Sequence, residues 1–171
     1  MDTEMEVDEP VPEKVFRVSA KKPTPKEKAE GIKEVSHVFV ITEKMLKMSE
    51  TLAGAVDVCH GAADTEIPME HVDKISMTHL IKFMEHHENT DPDSGEELTD
   101  WDRAFFKGIK SEELNELLRC ANYLNVSLII DDLFPDYVVE HTLGKNADQL
   151  VKLFCLKKDN ENNATGPSTS Q

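Results

Sequence analysis

No stretch of this 171-residue chain approaches the ~20 consecutive apolar residues that cross a bilayer. The N-terminal run Met1-Asp2-Thr3-Glu4-Met5-Glu6-Val7-Asp8 lacks the apolar centre of a signal peptide. Cysteine is scarce as well. Cys59, Cys120 and Cys155 are odd in number and widely spaced, with no CxxC pair and no cysteine–histidine pattern at zinc-finger spacing. These absences argue against a disulfide framework, a zinc module and a membrane protein. They point to a reducing compartment, the cytoplasm and nucleus. Positive charge is in deficit: 19 Lys and Arg face 34 Asp and Glu, a net charge of −15. Such a surface repels nucleic acid and anionic lipid and steers the chain toward a basic partner. No Gly-rich phosphate loop, GxSxG elbow, Cys–His nucleophile motif or internal repeat is present, so catalysis has little support.

The apolar fraction of 39% and charged fraction of 31% describe a compact core with solvated segments attached. Residues 1–13 are acidic, contain Pro10 and Pro12, and are expected to be disordered. Phe16, Val18 and Ala20 alternate as in a strand, and Val38-Phe39-Val40-Ile41 has the look of a buried one. The two segments could pair as a hairpin across the lysine-rich loop 21–34. Thr42 begins a helical stretch bearing Met45 and Leu46, and Ser49 is placed to cap a helix carrying Leu52, Ala53 and Val56. Glu66-Ile67-Pro68 reads as a very short edge strand. Ser76 is the expected cap of a helix whose Met77, Leu80, Ile81 and Met84 share one face.

Residues 87–100 form an acidic loop before the aromatic cluster Trp101-Asp102-Arg103-Ala104-Phe105-Phe106. Ser111 is expected to cap the next helix, with Glu112 and Glu113 in its first turn and Leu114, Leu117, Leu118, Ala121 and Leu124 on its apolar face. The apolar run from Asn125 is expected to stop at Pro135. A short helix from Tyr137 to Leu143 then ends before Gly144, and Asn146 with Gln149 fits a capping pair for a last helix. Residues 158–171 read as a disordered polar tail. The histidine pair His86-His87 points about 100° apart on a helix and does not suit a shared metal. His60 and His71 are likewise read as structural or surface residues. Glu96-Glu97 lies in a loop where no burial tunes a carboxyl for acid–base work. No metal or other cofactor is expected.

Trp101-Asp102-x-x-Phe105-Phe106 followed by Leu117-Leu118-Arg119-Cys120-Ala121-Asn122-Tyr123-Leu124-Asn125 resembles the Skp family. Val38-Phe39 through Ser49 and Leu52, Ile67-Pro68 with Val72, Met77 through His86-His87, and Gly144-Lys145 with Leu150, Phe154 and Leu156 match the family in the same order. The resemblance covers roughly residues 38–158. It implies an α+β chain: a BTB/POZ domain of the Skp and elongin-C type over residues 14–126, with a small three-stranded sheet and clustered helices. Short C-terminal helices of the F-box-binding type follow over residues 127–157. It implies a non-catalytic adaptor of an SCF-type ubiquitin ligase, with a cullin and F-box proteins as partners. Asn122 and Tyr123 match cullin-facing positions; Leu114, Leu118, Phe154 and Leu156 match F-box-facing ones. Three features depart from the family: the polar stretch after Lys158 replaces two further helices, Pro135 with one extra residue interrupts a helix, and the basic loop is longer than a tight hairpin. A BTB module that oligomerises without binding F-box proteins is the other reading, and the apolar patch also allows a homodimer.

Overall fold

The computed structural model describes residues 14–58, 66–90 and 97–153. The fold is α+β. In chain order its elements are β1 (Val15–Lys22), α1 (Pro25–Ala29), β2 (His37–Thr42), α2 (Glu43–Lys47), α3 (Glu50–Val58), β3 (Glu66–Asp73), α4 (Lys74–His87), α5 (Asp100–Gly108), α6 (Ser111–Tyr123), a π-helix (Leu128–Leu133), α7 (Phe134–Thr142) and α8 (Ala147–Leu153). The sheet has the order β2-β1-β3. β1 pairs antiparallel with β2, setting Phe16 opposite Ile41 and Val18 opposite Phe39, and parallel with β3, setting Val18 opposite Ile67. Because residues paired across strands share a face, Phe16, Val18, Ala20, Ile41, Ile67 and Met69 all turn to the core.

The other face departs from expectation. Val38 and Val40 stand on the outer face of β2 at 43% and 58% exposure, so the strand is half-buried rather than wholly inside. β3 is also longer than expected: it continues through Asp73 by way of a register shift opposite Ala20 and Lys22. That extension moves the start of α4. Asp73, not Ser76, caps it, its carboxylate accepting the Ser76 N–H at 2.9 Å. Similarly Ser111 is the first helical residue of α6, and the capping position falls on Lys110 with no side-chain bond. The basic loop contains a one-turn helix, α1. Thr24 and Glu27 cap it reciprocally, and Glu27 reaches His37 at 2.8 Å. Backbone and side-chain hydrogen bonds from Thr24, joined by His37, pull the Glu27 carboxyl down to about 2.

One apolar core runs from Phe16 to Tyr137. Residues on both sides of the expected boundary at 126 belong to it, for Val126, Ile129 and Leu133 are all fully buried. Phe83 anchors an aromatic cluster with Trp101, Phe105 and Phe106. His86 and His87 take the separate roles their angular spacing implied. His86 stacks on Trp101 with centroids 3.7 Å apart, whereas His87 is buried and bonds Asp102 at 2.9 Å. Burial works to raise the Asp102 carboxyl, but the His87 bond and the side-chain and backbone donors of Thr99 hold it below its usual range. Pro135 does not stop the apolar run. The chain widens into a π-helix at Leu128 and re-enters an α-helix at Phe134, leaving Pro135 in the first turn, where no intrahelical N–H is required. A π turn holds one residue more than an α turn, which accommodates the extra residue read at this point.

Candidate partner-binding surfaces

Asn122 and Tyr123 sit in the last turn of α6, and both are exposed, Tyr123 at 39%. The turn that follows fixes them in place. Asn125 adopts φ +50, the left-handed conformation that ends many helices and that asparagine tolerates well. The Val126 N–H then reaches back to the Ala121 carbonyl at 2.9 Å and the Asn125 N–H to Asn122 at 3.2 Å, closing a Schellman motif. Val126 and Ala121 are both buried, supplying the apolar contact beneath it.

The start of α3 meets this end head-on. The Glu50 and Thr51 N–H groups donate to the carbonyls of Asn125 and Leu124, each at 3.4 Å, and the Thr51 hydroxyl donates to the Tyr123 carbonyl at 3.2 Å. The Ser49 hydroxyl accepts the Leu52 N–H at 3.1 Å, as its expected role requires, and donates to the Leu124 carbonyl. The Asn125 side-chain amide donates to the Glu50 carboxylate. Free donors at one helix start and free acceptors at another helix end thus satisfy each other, with the two dipoles aligned. His71 of β3 packs edge-on against the Tyr123 ring at 5.5 Å. A cleft of about 350 Å³ opens beside the corner, lined by Glu50, His87, Glu88, Asn125, Leu128 and Asp132 among others.

The second predicted set is dispersed. Leu114 is buried at 7% exposure and belongs to the core, so its expected place on a partner face is corrected. The reason is angular: Leu114 lies beside Leu117 and Ala121 on the buried face, while Leu118 turns about 40° farther away and is half-buried. Phe154 and Leu156 lie outside the described residues. Sequence reasoning missed Val139 on α7 and Leu143 at its C-cap, exposed at 57% and 74%. Two apolar residues four apart at the end of a helix too short to bury both faces were their signal. Arg103 of α5 ties this slope down with a two-pronged bond to Glu140 at 2.7 and 2.8 Å. α8 is capped by its own box, Asn146 and Gln149 exchanging bonds of 3.0 Å as expected.

Burial pushes the Cys120 thiol up to about 12, so it is a core side chain without thiolate character. Among the described residues no group of three His, Cys, Asp or Glu side chains is placed to hold a metal ion. No helix among them is long and apolar enough to cross a membrane.

No family model matches the chain. Among curated proteins, SKP1-like protein 11 of Arabidopsis thaliana is 29% identical over 124 residues, covering 71% of this chain and 78% of its own length. The SCF ubiquitin ligase complex protein SKP1a of Dictyostelium discoideum is 26% identical over 131 residues, covering 71% and 79%. The E3 ubiquitin ligase complex SCF subunit sconC of Talaromyces marneffei is 25% identical over 108 residues, covering 58% and 66%.

Proposed function

Because this chain is a relative of the Skp family, we propose that it is a non-catalytic adaptor of an SCF-type ubiquitin ligase, bridging a cullin scaffold and an F-box substrate receptor. In this reading residues 14–126 are a BTB/POZ-type head and residues 127–157 the F-box-binding helices. The relatives are named as SCF subunits, which supports the assignment to ubiquitin-dependent degradation. The observation that carries it is the Tyr123 corner. A large amphipathic ring, of the type enriched at interface hot spots, stands exposed on a backbone immobilised by α3. A side chain held so firmly loses little entropy when a partner closes over it.

In this reading the F-box side includes Leu118, Val139 and Leu143, and the resemblance to the family assigns Phe154 and Leu156 to it as well. Leu114 supports it from beneath. Function follows from proximity: receptor and scaffold held on one small body raise the local concentration of substrate near the transferring enzyme. The work is done in the cytoplasm and nucleus, and the F-box side is open to a second copy of the chain when no receptor is bound.

The test is capture of the purified chain by a cullin N-terminal domain and by an F-box peptide. Tyr123→Ala should weaken cullin capture by tenfold or more, about 1.4 kcal/mol, with an unchanged melting temperature. Unchanged capture defeats the corner assignment. Capture by neither partner, with a stable homodimer in sedimentation, replaces the adaptor with an oligomerising BTB module.

A further inference from the structure

β2 is an outer strand, and among the described residues nothing pairs with its free edge. Which backbone groups it leaves open follows from the ladder. The Glu43 N–H donates to the Lys14 carbonyl at 3.1 Å, and bonded and non-bonded pairs alternate along antiparallel strands. His37, Phe39 and Ile41 therefore turn their N–H and C=O groups to β1, and Val38 and Val40 turn theirs outward. Proteins blunt such edges with lysine, proline, bulges or a covering segment. Residues 37–42 contain no lysine or proline, keep unbroken register with β1 and expose both valine side chains.

The strand is complementary to itself. Read antiparallel about Phe39, Val38 falls opposite Val40 of a second copy, and the open donors and acceptors of each meet those of the other. The four valines then share the outer face, as β-branched cross-strand pairs do. Just beyond the strand ends the same register sets Glu34 opposite Lys44. Both are exposed; among the described residues Glu34 has no ion-pair partner and Lys44 bonds only the Asn89 side chain. Parallel pairing in register would set like charges side by side instead. We propose that two copies of the chain join along this edge in antiparallel, two-fold pairing centred on Phe39, so that the three strands of each form one continuous sheet. An edge this short buries well under the ~800 Å² per partner of a standard interface, so the dimer depends on concentration. The proposal is independent of the adaptor reading: β2 lies across the sheet from β3, whose His71 packs at the Tyr123 corner, and it does not involve α7.

Sedimentation of the full chain across concentration tests it, with wild type beside the double variant Val38→Lys, Val40→Lys. Both side chains are exposed, so the fold stands, and an unchanged melting temperature checks that. Wild type should form a dimer as concentration rises, and the Val38 and Val40 amides should gain about tenfold protection from hydrogen exchange in step with it. The double variant should stay monomeric, although its added lysines lower the net negative charge and so weaken the repulsion between copies. Wild type that remains a monomer up to about 1 mM overturns the proposal. So does a dimer that survives in the double variant; if Leu143→Asp dissociates that dimer, self-association belongs to the slope of α7. Edge amides protected equally at every concentration in a monomer also overturn it, because the edge is then covered within one chain.

Discussion

The Tyr123 corner and the slope of α7 and α8 both expose apolar or aromatic side chains, but they are anchored in opposite ways. The corner rests on backbone: a left-handed Asn125, a Schellman closure and the capped start of α3 stacked against the end of α6, all over the buried Leu124. The slope rests on side chains: Tyr137 in the core, one arginine fork from α5, and an α8 whose described side chains are exposed or half-exposed. A surface of the first kind keeps its shape before a partner arrives. The second kind is stabilised by what covers it, because a leucine or valine gains about 1.5–3 kcal/mol on going from full exposure to full burial, and a partly exposed one a corresponding share of that.

The largest expected effect tests what both regions stand on. Asp102 is buried, bonds His87 and closes the capping box of α5 with Thr99, so Asp102→Ala leaves a buried imidazole without its carboxylate and opens the helix start. Breaking such a pair should cost about 3–5 kcal/mol in urea unfolding. Acid gives a gentler version of the same break. Asp102 is held below its unfolded value, so its contribution is complete above about pH 4 and is lost as pH falls through the folded value. Glu27 adds to the same acid limb, fading between the ordinary glutamate range and about 2. Asp102→Asn, which keeps an acceptor but cannot titrate, should flatten this limb; an unaltered slope assigns the acid sensitivity elsewhere.

Next come the two faces compared directly. Leu124→Ala removes a fully buried side chain under the corner and should cost about 2–5 kcal/mol, whereas Leu150→Ala on α8 should cost less than about 1. Equal losses would mean that α8 is packed as tightly as the corner. Within the corner itself, Asn125→Ala leaves a β-carbon in left-handed backbone without the polar side chain that makes the conformation tolerable and should cost about 1–2 kcal/mol, while Asn125→Gly, with no β-carbon there, stays within a few tenths. Thermal melts of the pair separate backbone conformation from loss of the Glu50 contact, which both variants share.

What the sequence made legible follows the range of the interaction. The alternation of Phe16, Val18 and Ala20, the helix start at Thr42, the Ser49 cap and the Asn146–Gln149 box are settled within a few residues, and all stand in the structure. The α4 cap was misplaced because the length of β3 depends on pairing with a strand almost fifty residues earlier. The partner of His87 lies fifteen residues on, across the acidic loop, and no local pattern marks it. The π-helix was visible only as one residue too many before Pro135. Of the candidate surfaces, Asn122 and Tyr123 were found as exposed side chains, but Leu114 was not separable from Leu118. A difference of about 40° around a helix is smaller than a leucine stripe resolves until the packing partner is known.

The smallest effect sharpens the account of the slope. The Arg103 guanidinium is held charged by its fork to Glu140, with help from Asp100, yet all three lie at the surface, where solvent screens an ion pair and its net contribution is small. Arg103→Ala should therefore barely move the urea midpoint, and the shift should shrink in 0.5 M salt as screening shortens to a few ångströms. The change should appear instead in local motion. With the fork gone, α7 keeps its hold through Phe134, Tyr137 and the π-helix, and its amides should exchange faster while those of α6 do not change. If α6 and α7 loosen together, the slope and the corner are one cooperative unit, and the contrast between backbone and side-chain anchoring fails.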